Sequence, residues 1–272
     1  MSKCLFLGGS SYVGLKLIKR LSSQGHEISC IIRSDDSLKK IQKQISGISF
    51  FTTNEASIPG QDFVFNLVCD YGLKNNDIDF LLESNVNYTL QQISKLKFGK
   101  IFNFSTALNK NLSHYAESKV ALEDELTKRL SNVCNLKIQA LYGPHSPDHY
   151  FISFLMKSLS SHQPELNLTG CTQKRDFVHV DDLVSAVCIL MNHETLPQTI
   201  EIGSGTSYKL KSIAEFIQEI TLSKTQINFG RLPMRLNEPM ELKADTRYLE
   251  NLGWSTNYEL FDFLRVSQFD FI

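Results

Sequence analysis

The chain has 272 residues, 42% of them apolar and 21% charged, with a formal net charge of −1. That is enough chain for a sizeable buried core with an ordinary globular balance, and the charge lacks the strongly basic footprint of a nucleic-acid-binding domain. Its apolar runs, such as Cys4-Leu5-Phe6-Leu7, are strand-sized and fall well short of the ~18–20 residues of a membrane helix, and Gly8-Gly9-Ser10-Ser11 cuts the first run too early for a secretory signal.

The first half alternates apolar runs with helical patterns. Lys3–Leu7 reads as a strand. Tyr12–Gln24 reads as a helix, with Val13, Leu17, Ile18 and Leu21 on one face and Gly25 as its stop. A strand is expected over Glu27–Arg33, a short charged helix over Ser37–Ile45, and strands over Ile48–Thr52 and Phe63–Val68. One long helix is expected over Asn75–Leu96, a strand over Lys100–Ser105, a helix over Tyr115–Val133 and a strand over Leu136–Leu141. The strands are near-continuous apolar runs, as when helices cover both faces of a parallel sheet. The fold class expected is α/β, a Rossmann-type doubly wound parallel sheet.

The second half is less regular. Helices are expected over His149–Ser160, Asp181–Asn192, Lys211–Ile220 and Thr246–Leu252, and short strands over Leu166–Leu168 and Thr199–Ile202. Pro233 and Pro239 mark a loop, and Phe271-Ile272 is expected on the surface. A boundary near Gly143-Pro144 would separate a dinucleotide-binding domain, residues 1–143, from a small mixed α/β substrate subdomain, residues 144–272. Residues 175–205 would return to the first domain.

The first strand runs through Gly8-Gly9-Ser10-Ser11-Tyr12-Val13-Gly14 into the first helix. A dinucleotide loop needs a tight turn, close backbone approach to the pyrophosphate and close helix–strand packing. Gly8 suits the turn and Gly14 the packing contact, while Ser11 stands where a middle glycine is usual. Backbone N–H groups of Ser10, Ser11, Tyr12 and Val13 would open the helix towards the phosphates. The second strand ends Ile31-Ile32-Arg33-Ser34. An acidic residue there would bind a ribose 2′-hydroxyl, whereas a guanidinium meets a 2′-phosphate. Arg33 therefore favours NADP(H), with NAD(H) kept open by Asp35 and Asp36.

Tyr115-Ala116-Glu117-Ser118-Lys119 opens the helix after the Lys100–Ser105 strand. Tyrosine and lysine at i and i+4 share a helix face. An ammonium near a phenol favours the phenolate and makes the tyrosine a usable general acid or base. Tyr12-x-x-x-Lys16 has the same spacing, but only Tyr115 follows a strand ending in the hydroxyls of Ser105-Thr106. Ligands of open α/β sheets bind at that carboxyl edge.

With these motifs the chain resembles the extended short-chain dehydrogenase/reductase family of NAD(P)-dependent sugar-nucleotide epimerases and dehydratases. The features that carry the likeness are the glycine loop, Asn85-Val86-Asn87, Ser105-Thr106, Tyr115-x-x-x-Lys119, Tyr142-Gly143-Pro144, Arg175 through Asp182, Ile202 through Gly205, and Leu242 through Trp254. The likeness implies that Thr106 and Tyr115 hold the reacting sugar oxygen, that Tyr115 moves the proton, and that Lys119 binds the nicotinamide ribose. It implies cofactor contacts at Leu67, Asn85, Ser105 and Tyr142, and a substrate diphosphate held by Arg175 and Arg235.

Departures narrow the reaction. Ala107-Leu108 stand where the family's dehydratases carry Asp-Glu, which removes the additional acid and base that elimination needs. Ala140, closing Leu136-Lys137-Ile138-Gln139-Ala140, stands where the family carries an asparagine that touches the substrate, Thr53-Asn54 replace a Gly-Asp that contacts adenine, and Phe65-Asn66-Leu67-Val68 replace the family's His-Leu-Ala-Ala. The six cysteines form no C-x-x-C pair, and His145 and His149 have Pro147 between them with no carboxylate partner, so no metal site is expected. The reading is a cytoplasmic NADPH-dependent reductase of the 4-keto group of a nucleotide-activated deoxysugar. It would serve polysaccharide or deoxysugar biosynthesis. The alternatives are an NAD-dependent sugar-nucleotide 4-epimerase and a non-catalytic NADP-binding sensor or scaffold. Partners are the nucleotide sugar and, through the helices at 75–96 and 115–133, a second copy in a homodimer; neither nucleic acid nor membrane is expected.

Overall fold

The computed structural model describes residues 1–55 and 57–267, so the surface position expected for Phe271-Ile272 lies outside the described residues. In chain order the elements are β1 (Lys3–Leu7), α1 (Tyr12–Ser23), β2 (Glu27–Ile32), α2 (Asp35–Gln42), β3 (Ser49–Thr52), β4 (Gln61–Asn66), α3 (Ile78–Leu82), α4 (Tyr88–Ile93), β5 (Phe98–Thr106), α5 (His114–Arg129) and β6 (Val133–Ile138). There follow β7 (Ala140–Tyr142), α6 (Phe151–Ser160), β8 (Glu165–Asn167), β9 (Lys174–His179), α7 (Val180–Leu190), β10 (Thr199–Ile202) and β11 (Ser207–Lys209). The chain ends with α8 (Leu210–Ile220), β12 (Gln226–Asn228), β13 (Glu241–Leu242), α9 (Arg247–Asn251) and α10 (Leu260–Val266). No helix among the described residues is long and apolar enough to cross a membrane.

Seven strands form the main sheet in the order β10-β6-β5-β4-β1-β2-β3. The pairs β1–β2, β1–β4, β2–β3 and β4–β5 are parallel. The reversal of order at β1 and β4 is the doubly wound Rossmann arrangement, and it leaves a crevice at the carboxyl ends of those strands. Both sheet faces are apolar. On one, Phe6, Phe65 and Phe102 sit in register across β1, β4 and β5, with ring centroids 4.8 and 5.6 Å apart. On the other, Leu5, Leu7, Val64 and Ile101 join Leu122 and Leu126 of α5 in one buried cluster. Helical coverage of both faces removes the polar alternation from the strands.

A polar seam crosses this interior. Asn66 donates to Asn103 at 2.8 Å, Asn103 to Asn135 at 2.8 Å, and Asn135 to Thr127 at 3.0 Å. All three asparagines are fully buried. An unpaired buried amide would cost about 1–3 kcal/mol, so each depends on its neighbours and fixes the register of β4, β5 and β6.

The chain divides into one unit of Met1–Lys137 with Leu190–Ile200 and a second of Ile138–Ile189 with Glu201–Ile272. The division falls ahead of Gly143-Pro144. The single strand expected over Leu136–Leu141 is in fact two, because β6 belongs to the main sheet whereas β7 pairs with β9 of the second unit. An apolar run carries no mark of a change of sheet. The helix expected over Tyr115–Val133 stops at Arg129, and Val133 begins β6. The helix expected over Asn75–Leu96 starts at Ile78, after the Asp77 cap, and contains a π-helical turn at Glu83–Asn87.

In the second unit β9 lies between β11 and β13, and a core of Ile152, Leu155, Met156, Leu159, Ile213 and Ile217 joins α6 to α8. Two buried carboxylates tie its loops down. Asp176 accepts from the Ser204 N–H and hydroxyl at 2.7 Å each, from Gly205 N–H at 3.0 Å and from Ala244 N–H at 3.1 Å. Asp182 accepts from Asn257 and Tyr258 N–H groups at 2.9 and 3.2 Å, and the Trp254 indole donates to its carbonyl at 3.2 Å.

Candidate active site

The first unit brings the glycine loop, the end of β2 and the end of β4 around one cavity of about 210 Å³. Its lining includes Gly8, Ser10, Ser11, Arg33, Leu67 and Tyr88. The loop is built to keep side chains out. Gly8 has φ +75, and a Cβ there would lie 2.7 Å from the Leu67 carbonyl. A Cβ on Gly14 would lie 2.6 Å from the carbonyl oxygen of Gly9. Backbone cannot retreat from such contacts, so the loop presses α1 against the sheet and leaves bare backbone facing the cavity.

Ser11 caps α1, its hydroxyl oxygen accepting from Gly14 N–H at 3.1 Å. The hydroxyl proton stays available to an anion, which accounts for serine where a glycine is usual. No acidic residue occupies the first turn of α1, where Tyr12 and Val13 begin the helix. The positive end of its dipole and its unsatisfied N–H groups therefore face an anion without competition. A loop that a Cβ would fill, an uncontested helix N-terminus and an arginine at the far wall fit a dinucleotide.

The arginine is Arg33. Its guanidinium carbon lies 5.7 Å from the centroid of the Tyr88 ring. Burial raises the pKa of Tyr88, with Arg33 acting weakly the other way, so the phenol is neutral at physiological pH.

Three hydroxyl and amine groups meet the carboxyl edge of the sheet through β5 and α5. Thr106 ends β5 almost fully buried, and its oxygen accepts from Leu108 N–H at 3.2 Å, leaving its proton to donate. Ser105 points to the opposite face and donates to Glu123 at 3.0 Å, so its side chain holds α5 on the sheet. Ser113 caps α5 by accepting from Ala116 N–H at 3.1 Å, and Tyr115 stands in the first turn. Lys119 is 1% exposed and its Nζ donates to the carbonyl oxygen of Val68 at 3.1 Å. Val68 itself lines the cavity, so the lysine reaches the cavity wall from behind. Burial lowers the Lys119 pKa, and Cys69 opposes this weakly.

The segment after β4 clamps the start of α5. Asn85, fully buried, accepts from Asp70 N–H at 2.7 Å and donates to the Asp70 carbonyl at 3.0 Å and to Ser118 at 2.9 Å. Its amide is thus committed to the protein and acts on the site by fixing Asp70. His114 contacts the Asn76 carbonyl at 2.7 Å. Tyr71 packs on Tyr115 with ring centroids 5.0 Å apart. Loss of hydration raises the pKa of the Cys69 thiol, with Lys119 and the Tyr71 and Tyr115 side chains acting the other way. Cys69, Tyr71 and Tyr88 were not legible in the sequence. They lie in a loop and in a helical run with no periodic mark, and only folding sets them beside Tyr115 and Arg33.

The second unit holds the remaining expected residues. Tyr142 is fully buried in that unit's core, its hydroxyl donating to the Tyr258 carbonyl at 3.4 Å. Its ring packs edge-on to His179 and Phe263. Arg175, 8% exposed in β9, donates to the Lys174 carbonyl at 2.6 Å and is ion-paired with Glu238. Arg235 is exposed in the same loop as Glu238.

Residues 4–203 match the NAD dependent epimerase/dehydratase family. CDP-abequose synthase from Salmonella muenchen is 26% identical, over 95% of this chain and 94% of that protein. UDP-N-acetyl-alpha-D-glucosaminuronate decarboxylase from Bacillus cytotoxicus is 24% identical, over 93% of this chain and 94% of that protein. Among solved structures, UDP-glucose 4-epimerase from Thermotoga maritima superposes with a TM-score of 0.83 at 18% identity, covering 98% of each chain. These relatives bear names of different activities, so the shared property is the fold and its nucleotide-sugar framework. The glycine loop, the tyrosine–lysine pair and the family match agree: the chain belongs to the NAD dependent epimerase/dehydratase family and is an enzyme of the extended short-chain dehydrogenase/reductase type.

Proposed function

We propose that the protein reduces the 4-keto group of a nucleotide-activated deoxysugar with NADPH. The observation that carries this reading is the wall shared by two groups. Val68 and its neighbours line the dinucleotide cavity on one side and receive Lys119, from the Tyr115 helix, on the other. The exposed Arg33 at the far wall supports a 2′-phosphate, and Ala107-Leu108 after Thr106 argue against dehydration. Two relatives support the substrate class, the CDP-abequose synthase and, over 41% of this chain, the dTDP-4-dehydro-6-deoxyglucose reductase of Escherichia coli.

When bound, the dinucleotide supplies two electrons and one hydrogen to the carbonyl carbon. Thr106 donates its free hydroxyl proton to the carbonyl oxygen and orients it. Tyr115 transfers a proton to that oxygen as the carbon–oxygen double bond becomes single, and is reprotonated from solvent. Lys119 binds the nicotinamide ribose and favours the tyrosinate that remains. Arg175 holds the substrate diphosphate after releasing Glu238, and Arg235 in the adjoining loop adds a second cation.

A second reading, an NAD-dependent sugar-nucleotide 4-epimerase, draws on the solved UDP-glucose 4-epimerases of the same fold. The same tyrosine and lysine serve both reactions. Titration of purified protein with NADPH and NADH, followed by turnover of a dTDP- or CDP-linked 4-keto-6-deoxyhexose, separates them. Preference for NADPH and stoichiometric oxidation of it support the reductase. Retained NAD and isomerisation without added cofactor support the epimerase. Tyr115→Phe abolishes turnover and leaves NADPH binding intact in either case. Binding without turnover of any sugar nucleotide would leave the sensor. The expected homodimer and cytoplasmic location belong to the same reading, and sedimentation measures the first.

A further inference from the structure

We propose that Tyr88 is the specificity-determining residue of the cofactor pocket, because it holds the Arg33 guanidinium in place for a 2′-phosphate. The proposal rests on the NADP(H) reading above. Arg33 leaves the end of β2 as an exposed side chain with two carboxylates, Asp35 and Asp36, directly after it in α2. Yet its guanidinium lies over the ring of Tyr88, 5.7 Å from the centroid, within the ~6 Å range of a cation–π contact. Tyr88 is half-buried at the start of α4, and both residues line the same cavity together with Ser37 and Ser84.

The chemistry of the contact decides its use. A cation–π contact with a ring face uses up no hydrogen-bond donor, so the guanidinium N–H groups stay open. Those N–H groups are what a phosphate takes up in pairs of hydrogen bonds. Tyr88 remains a neutral phenol, since burial raises its pKa. The ring therefore restrains the arginine without neutralising it, as a carboxylate partner would. A free arginine loses side-chain freedom when it is fixed, and restraint before binding reduces that loss. Ser37, which contacts Ser34 at 3.1 Å in the cap of α2, adds a hydroxyl beside the same position. A ligand lacking the 2′-phosphate gains nothing from this arrangement, so Tyr88 acts on the choice between cofactors.

The test measures dissociation constants for NADPH, NADH, 2′,5′-ADP and 5′-AMP by calorimetry on wild type, Arg33→Ala, Tyr88→Leu and Tyr88→Phe. We expect Arg33→Ala to weaken NADPH and 2′,5′-ADP by about tenfold or more and to spare NADH and 5′-AMP. Tyr88→Leu weakens the two 2′-phosphate ligands by about three- to tenfold and leaves the others within about twofold. Tyr88→Phe, which keeps the ring, binds as wild type does. If Tyr88→Leu fails to fold, Tyr88→Gln gives the same comparison without an aromatic face. Equal weakening of all four ligands by Tyr88→Leu, or of none, overturns the proposal. An Arg33→Ala variant that binds NADPH normally overturns the NADP(H) reading as well, which distinguishes the two failures.

Discussion

Lys119→Met is expected to raise the stability of the protein while abolishing its activity. Lys119 is 1% exposed, and its ammonium has the Val68 carbonyl as a partner at 3.1 Å. Removing a charge from water costs several kcal/mol even after relaxation. A hydrogen bond from a charged donor returns only about 1.5–3 kcal/mol. Methionine fills the same length with apolar atoms and removes the charge. We expect a gain of about 1–3 kcal/mol, or about 2–6 °C in Tm for a chain of this size. Turnover should fall by about 10²–10⁴-fold, the usual span of a lost acid–base contribution.

The pH dependence gives the sharper check. Burial holds the folded lysine below its ordinary pKa, whereas the unfolded lysine titrates near ~10.4. Below the folded value both states are charged, and the full penalty applies. Between the two values the unfolded chain binds more protons, so wild-type stability rises with pH. Above the unfolded value this contribution is flat. The methionine variant lacks that rise, so its advantage is greatest below the folded lysine's titration and shrinks as pH increases through it. Urea denaturation followed by circular dichroism from neutral to strongly alkaline pH measures it. A variant less stable than wild type at neutral pH, or an advantage independent of pH, would refute the reasoning.

Gly14→Ala places a Cβ 2.6 Å from the Gly9 carbonyl oxygen; NADPH affinity, read by nicotinamide fluorescence, should fall by more than about tenfold as the loop is forced open. Asp176→Ala strands the Ser204, Gly205 and Ala244 donors. At about 1–3 kcal/mol for each unmet buried group, less what entering water recovers, the loss should reach about 3–5 kcal/mol by urea denaturation. Cys69 keeps exposed surface, but its thiol is crowded by Tyr71 and Tyr115 and its pKa is raised. Its alkylation by iodoacetamide, followed by intact mass, should therefore be slow at neutral pH, keep accelerating above the ordinary thiol range, and slow again when NADPH is present.

Much of the first unit was legible because its determinants are local. A glycine between a first strand and a first helix, a serine cap, and apolar runs of strand length each act through neighbours in the chain, and β1, α1 and β2 stand within a residue of their expected ends. The tyrosine–lysine pair was legible for the same reason, since four residues on a helix define one face. The second unit was less so. β9 reads as a charged motif in sequence and becomes a central strand only because β11 and β13 pair with it. The carboxylate of Asp176 has meaning only beside Ser204, Gly205 and Ala244, far along the chain.

The sequence by itself determined the doubly wound sheet, the glycine loop between β1 and α1, the tyrosine–lysine pair on α5 and the arginine at the end of β2, because each is written in residues a few positions apart. The tertiary structure alone decided what those groups touch. It buried Lys119 against Val68, committed Asn85 to Asp70 and Ser118, packed Tyr71 against Tyr115 and set Tyr88 beside Arg33. Such contacts join residues distant in sequence, and the free energy that selects them comes from burial and pairing across the whole sheet, which no local pattern records.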